Sequence, residues 1–198
     1  MTKKTHLPFL FLASLFANLA HSAEHKLDDE KKLALVADGG GSFPMMGGGS
    51  YGAGLRLEYA TSRFISVILP LDYRFIAYGG FSDSPQFDAF TAGIGGRFYF
   101  SQLFWAQKTL KGFFAEGSLG VGYAVEQPGD YMGVSQPKNQ GATFSLSAAL
   151  GYSYAFDFGL VIGGMVKISG RGFSPPIKQS GIIAHPNPEL LAQIGWAF

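Results

Sequence analysis

The sequence predicts an all-β chain: an eight-stranded antiparallel up-and-down transmembrane β-barrel preceded by a cleaved signal peptide. Three observations predict it. Apolar residues alternate with small or polar ones through about eight segments. The connections between those segments alternate between short and long. Past the leader, no window holds the roughly 20 apolar residues that a membrane-spanning helix requires, so any crossing must use strands.

The leader comes first. Lys3 and Lys4 give a positive start, Pro8 to Ala17 an apolar run, and Ala20-His21-Ser22 small residues at the positions a signal peptidase reads. The run is too short to span a bilayer, and Asn18 and His21 interrupt its end. The division expected is a signal peptide over 1–22, a lead-in over 23–31 and a barrel over 32–198. With no twin-Arg pair and no Cys, the general secretory route is the simplest expectation. Losing Lys3 and Lys4 takes 15 basic residues to 13, against 14 acidic ones. So balanced a chain argues against a nucleic-acid partner, which needs a basic stripe. Its 15% aromatic content argues against disorder.

The opening strand is expected over Lys32 to Asp38. From Ser50 to Ala60, Tyr51, Ala53, Leu55, Leu57 and Tyr59 share a face, opposed by Gly52, Gly54, Arg56 and Glu58. The alternation recurs over Phe64–Tyr78, with Ile68 the exception, and over Phe87–Phe100, Gly112–Val125, Ala142–Phe156, Phe158–Arg171 and Leu190–Phe198. Each full segment is near or above the about 9–11 residues of a tilted membrane strand. The polar face is rich in Gly, Ser and Thr and carries few charges. A soluble barrel would carry a surface dense in Lys and Glu. The apolar face is therefore assigned outward, to lipid.

Turn placement agrees. Thr61-Ser62-Arg63 and Asp157 make short connections at the end that holds both termini. Gly39–Gly49, Gly79–Gln86, Glu126–Gly141 and Gly172–Asn187 make long ones at the other, and their Gly, Pro, Ser and Asn suit surface loops. Gly39-Gly40-Gly41 and Gly47-Gly48-Gly49 are expected to loosen the first of these. The longer Ser101–Lys111 connection, with Leu103, Phe104, Trp105 and Leu110, is expected to lie at the membrane interface. Aromatic girdles are expected at both edges. Tyr59, Phe64, Phe98, Phe100, Phe113, Tyr152, Tyr154, Phe156 and Trp196 would ring the periplasmic edge, and Tyr51, Tyr73, Phe75, Phe90, Tyr123 and Phe144 the outer one.

The inward phase collects Arg56, Glu58, Asp72, Arg74, Arg97, Glu116, Lys167 and Arg171. Buried charges must pair. Arg56 and Glu58 are expected to meet Asp72 and Arg74 on the next strand, and Glu116 to meet Arg97. An eight-stranded interior is just wide enough for its own side chains, which favours a plug over a gate or narrow polar path. Inward Tyr99 and Phe114 compete for the room that the glycines leave.

The ending, with Leu190, Ala192, Ile194, Trp196 and Phe198 in step, resembles the β-signal of bacterial outer-membrane proteins. The whole mature chain resembles the small eight-stranded barrels: outer-membrane protein X, the OmpA barrel, OmpW and the opacity proteins. The resemblance is architectural. It implies a Gram-negative outer membrane, recognition by the barrel-assembly machinery through the last strand, contact with lipid and lipopolysaccharide, and a monomer. A structural or surface-interaction role follows as the leading expectation, with a narrow channel for small hydrophobic or polar solutes as the alternative.

A lipid A-modifying enzyme is the second alternative. Barrels that deacylate lipid A use a His-x-Ser pair near the C-terminus. Here His185 sits in Ala184-His185-Pro186-Asn187 without that Ser, and only Ser180 in the same expected loop could serve it. No catalytic residue, cofactor or metal is expected. Asp28-Asp29-Glu30 reads as a solvated lead-in, and the glycine runs lack the Lys-Ser/Thr of a phosphate loop. Mass measurement of the exported protein should give a mature chain starting at Ala23 or Glu24; an intact Met1 start would refute the leader assignment.

Overall fold

The computed structural model describes residues 31–42, 48–78, 86–104, 109–127, 130–131, 134–135, 139–174, 177 and 181–198. The signal peptide, the lead-in up to residue 30, Trp105 and Ser180 lie outside the described residues. The strands are β1 (Leu33–Ser42), β2 (Gly48–Ala60), β3 (Ile65–Tyr78), β4 (Gln86–Phe98), β5 (Gly112–Gln127), β6 (Asp130–Tyr131), β7 (Val134–Ser135), β8 (Gln140–Ala155), β9 (Leu160–Phe173) and β10 (Gly181–Ala197). Eight of them close into one antiparallel barrel in the order β1-β10-β9-β8-β5-β4-β3-β2, and β6 and β7 form a separate hairpin between β5 and β8.

Local chemistry sets the short turns. Between β2 and β3, the Thr61 and Ser62 N–H groups donate to the Ile65 carbonyl at 2.9 and 3.0 Å. The Ser62 hydroxyl accepts from the Phe64 and Ile65 N–H groups, so a side chain completes what the backbone leaves open. Between β8 and β9, Gly159 adopts φ +117, a conformation that L side chains rarely adopt. The β4–β5 connection opens with a 3-10 turn, Phe100–Leu103, which Gln102 ties to the Lys111 carbonyl at 2.9 Å.

Closure joins the chain's two ends. Nine β1–β10 pairs run from Ala34↔Ala197 to Ser42↔Glu189. The Phe198 N–H extends the seam by donating to the Leu33 carbonyl at 2.7 Å. The interior holds three apolar clusters. One lies at the terminus end (Ala34, Val36, Ala60, Leu110, Val161, Ala197), one mid-lumen (Tyr99, Phe114, Ala149, Met165, Leu191) and one under the long loops (Ile76, Phe87, Ala89, Ala124, Phe173, Ile177). The outer wall is a belt of exposed apolar side chains that includes Leu55, Leu71, Ile94, Leu119, Leu146 and Ile194.

Several expectations need correction. β1 runs on to Ser42 and β2 begins at Gly48, so Gly39–Gly41, Gly48 and Gly49 are strand, not loop. Gly40 and Gly41 allow the close approach: a Cβ on Gly41 would stand 2.5 Å from the Ser50 carbonyl oxygen. β10 begins at Gly181, so Ala184-His185-Pro186-Asn187 is strand backbone rather than loop. Its register against β9 breaks between His185 and Glu189, where Pro186 and Pro188 have no N–H to give. Leu110 is buried inside the terminus-end cluster at φ +61 instead of resting at the interface, whereas Leu103 and Phe104 are exposed. Phe64 is not a girdle residue. It precedes β3 in the inward phase, in step with Ser66 and Ile68, and is buried.

Leu119 sits mid-strand, level with Ile94 and Leu146, and is 61% exposed. Leu119→Arg should lose about 2–4 kcal/mol in urea titrations in lipid vesicles. A change within error would argue that this face does not meet hydrocarbon.

Candidate functional site: the lumen charge ladder

Alternation drives one side chain in two into the lumen. The charges that arrive there form one connected ladder. At the terminus end, Arg97 reaches Glu58 at 2.7 Å and Glu116 at 2.8 Å. Glu58 also accepts from the Ser66 hydroxyl at 2.5 Å and from the Tyr99 hydroxyl at 2.8 Å. The Arg97 guanidinium lies 3.8 Å from the Phe114 ring centroid, a cation–π contact that Tyr99 flanks edge-on. Arg56 continues the ladder, joining Glu116 at 3.2 Å to Asp38 at 3.3 Å. Asp38 meets Arg74 at 3.3 Å, and Arg74 reaches Asp72 and Glu189 at the same distance. Lys167 ends the chain on Asp72 at 3.3 Å, and Ser50 donates to Glu189 at 2.6 Å.

All eight inward charges named from the sequence point into this interior. The partners differ from those expected. Arg97 and Glu116 pair as the alternation suggested, but Arg56 and Glu58 do not meet Asp72 and Arg74. Register is the reason. Asp72 stands opposite Gly54 and Arg74 opposite Gly52, while Arg56 and Glu58 face Pro70 and Ile68. The glycines make the room: a Cβ on Gly52 would lie 2.9 Å from Arg74 Cδ, and one on Gly54 2.8 Å from Asp72 Oδ1.

Two members were missed. Asp38 holds two arginines, and Glu189 anchors the outer end. Both signals were in the sequence, since Asp38 is in step with Ala34 and Val36, and Glu189 with Leu191 and Gln193. Counting these two with Arg171, the buried set among the described residues has five carboxylates (Asp38, Glu58, Asp72, Glu116, Glu189) and five cations (Arg56, Arg74, Arg97, Lys167, Arg171). That balance lets so many charges leave water together. β8 contributes only small lumen groups. Ser145 and Ser147, with Ser118 and Ser169, line a narrow cavity beside Lys167 and Arg171 of about 10 Å³, room for one water.

The girdle residues Tyr59 and Trp196 are exposed; Phe98, Phe100 and Tyr154 are half-buried at the terminus end. A run of ring contacts, Tyr154–Phe156–Phe158–Trp196, follows that rim at 4.7, 5.3 and 6.0 Å. Leu190, Ala192, Ile194, Trp196 and Phe198 all face outward from β10. Only the backbone of His185 is described.

A closed eight-stranded wall, apolar outside and charged inside, defines the class: a membrane-spanning β-barrel of the smallest usual size. No protein-family model and no curated protein matches the sequence. Among solved structures the chain is similar to three small barrels. The first is Pseudomonas aeruginosa outer membrane protein OprG, at 14% identity and TM-score 0.48, over 85% of this chain and 97% of that one. The second is Ail, the attachment invasion locus protein of Yersinia pestis, at 12% and 0.46, over 84% and 97%. The third is the N-terminal β-barrel domain of Pseudomonas aeruginosa OprF, at 13% and 0.45, over 85% and 98%.

Arg97→Met would leave Glu58 and Glu116 buried without their shared cation. Unfolding in detergent should show a loss of about 3–5 kcal/mol. A loss below about 1 kcal/mol would mean that water, not Arg97, stabilises those carboxylates.

Proposed function

We propose that this chain is a non-enzymatic barrel of the bacterial outer membrane with a structural or surface-interaction role and a lumen closed by its own side chains. One observation supports the reading: buried ion pairs and three apolar clusters occupy the interior. Phe87 and Phe173 stack at 5.1 Å under the long loops, Phe114 is fully buried against Arg97, and Leu110 is buried at the terminus end. A Cβ on Gly151 would lie 2.5 Å from the tip of Phe114, so the wall is thinned to seat that ring.

Several features support the outer-membrane placement. The apolar belt calls for hydrocarbon, and a closed barrel is one of two ways to satisfy every backbone group there. The leader supplies export by the general secretory route, and the outward stripe of β10 supplies the assembly signal for the barrel-assembly machinery. Partners on this reading are membrane lipid and lipopolysaccharide around the belt, with the barrel working as a monomer. The competing reading is a narrow polar path, and the cavity beside Lys167 is what favours it.

Planar-bilayer recording separates the two. The closed lumen should give no discrete conductance steps, while Tyr99→Ala with Phe114→Ala should introduce them. Steps from the unaltered protein would overturn closure. Folded protein should shift on a gel when heated, and a monodisperse fold in buffer without detergent would overturn the membrane reading itself. An altered lipid A mass profile on expression would overturn the non-enzymatic role.

A further inference from the structure

The outer wall is not a uniform belt. Across β8, β9, β10 and β1, one cross-strand row reads Tyr152, Gly164, Ala192, Gly39. It lies in a groove of about 800 Å³, walled by Phe113 and Tyr152 on one side and by Val166 and Leu190 toward the long loops. The glycines are not imposed by packing. A Cβ on Gly164 would come no nearer than 3.5 Å to any neighbour, and one on Gly39 no nearer than 3.8 Å. Neither has the positive φ that disfavours a side chain. Gly151 and Gly163 differ, since a Cβ on either would strike neighbours at 2.5 Å. What bareness at Gly39 and Gly164 does is open a recess on the lipid side.

A cation lies just beyond the aromatic wall of the groove. Phe113 and Tyr152 pack edge to face at 4.9 Å. One row nearer the rim, Lys111 holds its ammonium 3.9 Å from the centre of the Tyr154 ring. Two residues of strand separate these rows, roughly 7 Å. An apolar channel with a ring-mounted cation one row beyond its wall has the polarity of one phospholipid.

We propose that this groove binds a single anionic phospholipid of the leaflet on the terminus side, its phosphate at Lys111 and an acyl chain along Gly164, Ala192 and Gly39. The inference rests on the membrane reading above and adds a specific partner to it. The charge sets the class, because a juxtamembrane lysine favours an anionic headgroup by about fivefold. The bare row sets the depth, because a chain pressed onto backbone gains contacts that bulk lipid cannot make over Leu or Phe.

Native mass spectrometry of the full chain, folded in detergent, tests it with phosphatidylglycerol and phosphatidylcholine of identical chains. The unaltered protein should retain one phosphatidylglycerol about fivefold better than phosphatidylcholine. Lys111→Gln should remove that preference and leave the heat-dependent gel shift intact. Gly164→Leu, whose Cβ would make only ordinary van der Waals contact with the wall, should cut retention of both lipids. Equal retention of the two lipids by the unaltered protein would overturn the proposal, as would undiminished retention by a heat-shifting Gly164→Leu variant. Displacement of the lipid by inorganic phosphate would leave only a phosphate site, and a dimeric mass would assign the groove to a second copy. Either outcome overturns it. A failed lipid test with the heat shift preserved leaves the membrane reading standing, whereas a fold that needs no detergent removes both.

Discussion

Inside hydrocarbon no strand can leave its edge unpaired, and the whole structure follows from meeting that constraint. The seam between β1 and β10 meets it. Nine backbone pairs join the first strand to the last, and the final N–H, on Phe198, is spent on Leu33. Above Glu189, β10 runs on beside β9 alone, through a segment where prolines interrupt the register. The seam therefore stops where the wall approaches the loops, and below it the cylinder is continuous.

Closure fixes polarity. Once the wall is sealed and its outer face meets lipid, every second side chain must enter a space too narrow for bulk water. Arg56, Arg74 and Arg97 share their carboxylates rather than holding one each, so no pair in the ladder is isolated. Seven strands supply charges: β1, β2, β3, β4, β5, β9 and β10. β8 supplies hydroxyls and small groups instead, and the small cavity sits against it. The wall is thin where the filling is thick. Gly52 and Gly54 stand behind Arg74 and Asp72, and Gly151 behind Phe114.

The same glycine has opposite meanings on the two faces. Inside, its missing Cβ is demanded by the neighbouring backbone and the Arg74 stem, by a carboxylate or by a ring. On the lipid side, at Gly39 and Gly164, nothing in the protein demands it, and the recess becomes available to a lipid chain.

The alternation in this sequence determined by itself the all-β class, the number of wall strands and the inward phase of the eight charges it singled out. It did so because a pleated strand sends successive side chains to opposite faces, a rule that needs no knowledge of neighbours. The short turns at Thr61-Ser62-Arg63 and Asp157 were legible as the breaks between alternating segments. Pairing was not. Alternation gives phase but not register, so Arg56 could be placed inside without revealing that Asp38 and Glu116 would hold it. The glycine runs read as loop until pairing carried β1 and β2 through them, with bare backbone needed at Gly40 and Gly41. Leu110 read as an interface residue until the chain folded back into the barrel mouth. Those outcomes belong to tertiary structure alone, because they depend on which strand lies across the lumen from which.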